Sequence, residues 1–325
     1  MQLTKHLNAC LLLGAATLLP VHATAQENYP TRPIRLLVGF QPGSASDVGA
    51  RISAQKIGQL LGQSIVVDNR PGASSNIAAK AVASAPPDGY TLFFCTIANV
   101  INSAAKGAAV VDIGRDLGPV GMIGAVPNIL VLNPALDVDT LPALVALLKS
   151  KPGQISYGTA GIGSSLHMAA ELFSVMAGVK MLHVPYQGST AAVTDLLGGQ
   201  TQLMFAPTST VLPYVRAGKL KAIASTGSRR GASAPELPTL DELGLKGFES
   251  TVWYGIVAPL GLPPKVSATL EAAIQASVAA PEVQAQFRAQ GIEGSALNQK
   301  DFSAYIRGET EKWAKVIQVS GIKLE

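Results

Sequence analysis

Cysteine is almost missing from this sequence, with two residues in 325, Cys10 and Cys95. Cys10 lies in an N-terminal stretch that reads as an export signal. That leaves Cys95 without an intramolecular partner and the chain without a disulfide framework. An exported protein of this kind has to be held together by its core. Histidine is scarce as well, and two of the four, His6 and His22, sit in the same stretch. His167 and His183 with a single cysteine are a poor ligand set for zinc or haem, so no metal or cofactor is expected. Charged residues make up 14% and aromatics 5% of the chain. Beyond residue 25, 24 basic residues face 21 acidic ones, with no basic run and no aromatic interleaving. This excludes a nucleic-acid surface. No later run is apolar enough to span a bilayer. No G-x-S-x-G or comparable nucleophile arrangement is present.

What is present starts with an address. Lys5 precedes an apolar run at 9–19 (ACLLLGAATLL), and Ala23-Thr24-Ala25 supplies a small-x-small cleavage pattern. Residues 1–25 are therefore expected to be a cleaved signal peptide, with Gln26 starting a mature periplasmic protein. Cys10 stands at the start of the apolar run instead of after it, which argues against a lipid anchor. About 300 residues remain, enough for two domains of ordinary size.

The stretch 34–47, IRLLVGFQPGSASD, sets the pattern for the rest. A short apolar run suited to a buried strand breaks at Gln41-Pro42-Gly43, and the following serines and Asp47 are N-cap candidates for a helix. Ala50, Ala54, Ile57 and Leu61 fall at helical steps, and Gly62 marks the stop. Strands follow at 64–68 and 90–94, separated by a helix at 76–85. Residues 106–118 read as a loop leading to two apolar runs, 120–123 and 129–132, on either side of Pro127. A second block repeats the alternation. It has a helix at 141–149, a strand at 155–158, the Gly-rich loop TAGIGSS at 159–165 and a helix at 166–176. Strands at 181–184, 202–205 and 220–224 follow, with a helix at 191–197 between the first two. A strand near 253–257 and three helices near 264–279, 281–290 and 300–319 close the chain. Alternating strands and helices imply right-handed βαβ units, a parallel sheet, and ligands at the carboxyl ends of its strands. A strand that ends in a Gly-containing loop at a helix start exposes unpaired N–H groups at the positive end of the helix dipole. The chain builds that arrangement twice, at 43–47 and 158–165. The spacing Gly43 then Gly49 is not G-x-G-x-x-G, which argues against a nucleotide.

Several motifs together resemble the periplasmic solute-binding receptors of tripartite tricarboxylate transporters, the Bug receptors. They are YPTRPIR at 29–35, Pro42-Gly43 with Asp47, DNRPGA at 68–73, PDGYTL at 87–92, and Tyr157-Gly158 with Gly161, Gly163 and His167. HVPYQG at 183–188, DLLGGQ at 195–200, AGKL at 217–220 and Pro238-Thr239 complete the set, which covers nearly all of the mature chain. The resemblance implies an α/β type II periplasmic binding fold: two βα domains with a ligand cleft between them, and integral-membrane transporter subunits as partners. The chain departs from the family where a second glycine usually follows Pro-Gly, which is Ser44 here. It departs again where Gly-Gly usually follows Arg-Pro-Gly-Ala, which is Ser74-Ser75.

The expected division is 26–124 with 250–325 as one domain and 125–249 as the other, in a protein acting as a monomer. The expected function is capture of a small organic acid or related polar ligand by domain closure, without chemistry on it. Phe40, Gly43, Ser44, Ala45, Ser46, Asp47 and Thr96 are the contact residues expected from the first domain. Thr159, Gly163, Ser164, His167 and Tyr186 are those from the second, with Phe40 and Tyr186 as apolar walls. An exported α/β hydrolase-like enzyme using Ser164 and His167, or a periplasmic sensor presenting its ligand to a signalling kinase, are the competing readings.

Overall fold

The computed structural model describes residues 29–106, 110–186 and 188–322; the expected signal peptide and its cleavage site lie outside them. The first strands, β1 (Ile34–Val38), β2 (Ile65–Asn69) and β3 (Thr91–Thr96), run parallel with β1 in the middle. They are connected by α1 (Ala45–Leu61) and α2 (Asn76–Ala83). Gly62 stops α1 in the left-handed region at φ +67, as its position in the sequence suggested. Ala73, Ser74 and Ser75 take left-handed backbone (φ +46, +50 and +75) although none is glycine. A helix that the sequence reading missed, α3 (Ile97–Lys106), follows β3 without a break. Its buried Ile97, Val100 and Ile101 fall at helical steps, but β-branched residues and asparagines give it weak propensity.

The two apolar runs around Pro127 are one strand, β4 (Leu117–Leu132). Pro127 was read as a break because proline donates nothing to a ladder. It is tolerated because it stands where β4 exchanges partners. From Leu117 to Pro127 the strand pairs with β9 (Thr251–Pro259). From Asn128 onward it pairs with β7 (Leu203–Pro207), and from Ile129 with β8 (Lys221–Ser225). β5 (Ser156–Thr159) and β6 (Leu182–Pro185) lie beyond β7, giving the order β2-β1-β3-β9-β4-β7-β5-β6. A short β10 (Glu293–Gly294) also pairs with β4. The sheet is thus mixed, not parallel as expected, because β4, β8, β9 and β10 pair antiparallel.

Strand direction positions the site. β9 runs against both β3 and β4, so β4 runs in the direction of β3. β7 runs against β4, and β5 and β6 are parallel to β7. The carboxyl ends of β1–β3 therefore point along β4 toward its second half, and those of β5–β7 point back toward its first. Two α/β lobes, one on each half of β4, face each other across the exchange at Pro127 and Asn128.

The second lobe carries α4 (Leu141–Ser150), α5 (Ser165–Ala177), α6 (Ser189–Leu197) and α7 (Thr208–Arg216). After β9 come α8 (Pro264–Ala279), α9 (Pro281–Ala289) and α10 (Gln299–Ser320). α10 packs on both α3 and α5 and so spans the two lobes. Its anchor is Glu309, 4% exposed, whose Oε2 accepts from the indole N–H groups of Trp253 (3.1 Å) and Trp313 (3.0 Å). Lys312 pairs with the other oxygen. No helix among the described residues is long and apolar enough to cross a membrane.

Candidate functional site

The two Gly-containing loops fold as near copies of one another. In the first, Gly43 takes φ +80 and its N–H donates to Asp47 Oδ2 at 2.8 Å. The Ser44 N–H donates to Gln41 O at 3.2 Å, and Ser44 Oγ accepts from the Asp47 N–H at 3.3 Å, capping α1. In the second, Gly163 takes φ +73 and its N–H donates to His167 Nδ1 at 3.1 Å. The Ser164 N–H donates to Gly161 O at 3.2 Å, and Ser164 Oγ accepts from the His167 N–H at 3.3 Å, capping α5. The cap dihedrals agree: φ −66 and ψ 159 at Ser44, φ −65 and ψ 156 at Ser164. The side chain four residues after each glycine, a carboxylate in one loop and a neutral imidazole in the other, holds that glycine's N–H.

This geometry changes which donors are left for a ligand. The N–H groups of Gly43, Ser44, Gly163 and Ser164 are all spent inside the loops. The first helical positions, Ala45 and Ser46 in α1 and Ser165 and Leu166 in α5, have no intrahelical acceptor and stand at the positive dipole ends. Such a helix start has the donors and dipole to accept one carboxylate. Ser165 and Leu166 were absent from the sequence-derived set, although the matching Gly-Ser-x-x-(Asp/His) spacing carries the signal. Ser44 and Ser164 accept their cap bonds and still hold a hydroxyl proton to donate.

Each cradle rests on a buried polar network. Asp47, 2% exposed, accepts from Arg51 Nε and from Asn69 Nδ2 (2.8 Å), in addition to Gly43. Burial opposes its charged form, but these donors and the Arg51 charge outweigh burial and hold the carboxyl below its usual range. Asp47 thus organises the loop and has no free oxygen turned toward a ligand. His167, 3% exposed, stacks on His183 with ring centroids 4.0 Å apart, and His183 stacks on Tyr157 at 5.0 Å. Burial, then the neighbouring His183, lowers the His167 pKa to about 4, so the ring is neutral at neutral pH. With Nδ1 accepting, its proton sits on Nε2, 3.6 Å from Glu171 Oε1. Burial raises the Glu171 carboxyl, which also accepts from Tyr157 Oη at 2.7 Å.

The other expected contacts divide. Thr159 is fully buried, and its hydroxyl is committed to His183 Nε2 (2.7 Å) and to the backbone of Gly161. Thr96 is 2% exposed, and its Oγ1 accepts from the Ala98 N–H at the start of α3. The Ser46 side chain bonds Tyr254. Thr159, Thr96 and Asp47 therefore brace the site from below. Phe40 and Tyr186 keep partly exposed rings; Tyr186 Oη is tied to Asp195 at 2.8 Å. Gly43 and Ala45 are exposed at the surface. A cavity of about 290 Å³ among Pro127, Arg229, Glu249, Glu293 and Tyr305 includes none of the cradle residues. Ser164 and His167 do not form a nucleophile pair, because the ring nitrogens face Gly163 and Glu171. Among the described residues, no group of three or more potential metal ligands occurs.

Known proteins resemble this chain over most of its length. The family described as tripartite tricarboxylate transporter family receptor matches residues 49–322. Protein BugT of Bordetella pertussis is 36% identical over 301 residues, 92% of either chain. The periplasmic binding protein BugD superposes with a TM-score of 0.74 at 31% identity, over 91% of this chain and 100% of that one. An R. palustris protein with adipate superposes with a TM-score of 0.76 at 32% identity, over 91% of this chain and 99% of that one.

Proposed function

The chain belongs to the tripartite tricarboxylate transporter receptor family, and on that premise we propose that it captures a small dicarboxylate between its lobes in the periplasm and delivers it to a membrane permease. Proteins of this family are solute-binding receptors, and this one is not an enzyme. The observation that carries the ligand class is the doubled cradle, with one open helix start per lobe, each suited to one carboxylate. The R. palustris relative with adipate supports the same class. We take the lobes as 26–124 with 250–325 and 125–249, closing over the solute by rotation at the β4 exchange.

Charge narrows the class further. An amino acid would need an acceptor for its ammonium group, yet Asp47 is fully engaged by Gly43, Arg51 and Asn69. Glu171 lies beneath the aromatic stack, bonded to Tyr157. A fully anionic dicarboxylate, held by neutral N–H donors at two dipole ends, suits the site better.

Proline tests the cradles cleanly. Ala45 and Ser165 occupy the first position of their helices, where proline is well accommodated, and the residues before them have the extended ψ that proline requires. Ala45→Pro and Ser165→Pro should each keep the fold and delete one ligand-facing N–H. A charge-assisted bond of about 1.5–3 kcal/mol predicts a loss of roughly ten- to a hundredfold in affinity. Calorimetric titration with C4–C6 dicarboxylates reads this directly. Parent-like affinity in both folded variants would mean that the helix starts do not hold the solute.

A further inference from the structure

The cavity of about 290 Å³ lies apart from both helix starts. One wall is the first half of β4, where Met122, Ala125 and Pro127 line it with Leu297 beside them. This wall is apolar. Around it stand three charged side chains and a phenol. Arg229 comes from the loop after β8, Glu249 from the segment that enters β9, Glu293 from β10 and Tyr305 from α10. Residues of both lobes thus share one small chamber. Ligand pockets run from about 300 to 1,000 Å³, so its size suits a small molecule.

The charges of this chamber are not matched within the protein. Glu249 is partly buried, and no donor among the described residues bonds its carboxylate. Lys312 Nζ donates to the Glu249 carbonyl instead, at 3.0 Å. Burial raises the Glu249 carboxyl, and the Lys312 charge offsets this only in part. Glu293 Oε1 accepts from the Ala232 N–H at 2.9 Å, while its Oε2 has no donor among the described residues. Arg229 is exposed and forms no ion pair among the described residues. A partly buried carboxylate without a counter-charge is disfavoured, and an occupant that supplies one relieves it.

We propose that this chamber is a second ligand site, separate from the solute site, for an α-amino acid with an aliphatic side chain. Glu249 and Glu293 Oε2 take its ammonium group, Arg229 takes its carboxylate, and the β4 wall takes its side chain. An ammonium group has three donors and no acceptor, so it needs carboxylates of the kind that stand free here. A guanidinium is matched in geometry and charge by a carboxylate. A dicarboxylate in the same place would set one anion against Glu249 and Glu293, so the chamber rejects the solute assigned to the helix starts. The helix starts in turn offer no ammonium acceptor. The assignment therefore stands whether or not they hold a dicarboxylate.

The test is calorimetric titration of the purified protein with leucine, with isocaproate, which lacks its ammonium group, and with isoamylamine, which lacks its carboxylate. Leucine should bind, and each analogue should bind at least about tenfold more weakly. Glu249→Gln and Arg229→Gln nearly keep the size of partly exposed side chains, and each should weaken leucine binding by roughly the same factor. The Ala45→Pro, Ser165→Pro double variant should bind leucine as the parent does. The site is overturned if leucine does not bind, if either analogue binds as tightly, or if either glutamine variant keeps the parent's affinity. Loss of leucine binding in the folded double variant would move the amino acid to the helix starts and overturn the site as well.

Discussion

His167 shows how one side chain can set the shape of a glycine loop. Its Nδ1 must be unprotonated to accept from the Gly163 N–H, and burial beside His183 favours that state. The folded pKa of about 4 lies below the unfolded value of 6.5. The unfolded chain therefore binds the proton first as pH falls. Stability from this group is complete above 6.5, erodes through the window from 6.5 to 4 and is gone below it. The shift corresponds to about 3 kcal/mol. His167→Asn offers an acceptor in the manner of Asp47 without titrating. Thermal unfolding between pH 4 and 7 should fall less steeply in that variant than in the parent; parallel curves would show that the His167 proton is not the cause. A cap among the serines and Asp47 of the first loop was legible in the sequence, because such residues before a helical pattern are a local signal; Ser164 was read only as part of a Gly-rich loop. That Asp47 and His167 play the same part was not, because a carboxylate and an imidazole become equivalent only once each is seen to accept a glycine N–H.

Among the elements, α10 ties the lobes together and β4 runs through both. Glu309 holds α10 by accepting two indole N–H groups in the core and pairing with the partly exposed Lys312. Glu309→Leu should leave the two buried indole donors unpartnered while Lys312 keeps its bond to Glu249 O, at a cost of about 2–4 kcal/mol. Denaturant unfolding should show a lower midpoint with an unchanged slope. Glu309→Gln, which keeps one acceptor, should lose less. A leucine variant as stable as the parent would show that the indole bonds contribute little. β4 was misread as two strands, since proline in a central strand ordinarily breaks the ladder. Pro127 escapes the rule because its missing N–H falls where β9 gives way to β7 and β8.

For the whole molecule, two lobes joined through β4 and bridged by α10 should be able to close on a solute that bonds to both. The radius of gyration in solution scattering should fall when a saturating dicarboxylate is added. The Ala45→Pro, Ser165→Pro double variant should show no such fall at the same concentration. Compaction in the double variant equal to that of the parent would separate closure from the cradles.

The chain by itself determined the α/β class, the two Gly-containing loops that lead into helices and the family, since these rest on local periodicity, turn residues and short motifs. Only the tertiary structure decided that the sheet is mixed, that β4 passes through both lobes, and which N–H groups remain for a ligand. Strand direction and hydrogen-bond partners depend on residues far apart in the chain: β3 lies beside β9, and Trp253 donates to Glu309. A donor is free or spent only with respect to its neighbours in space, and the sequence does not list those neighbours.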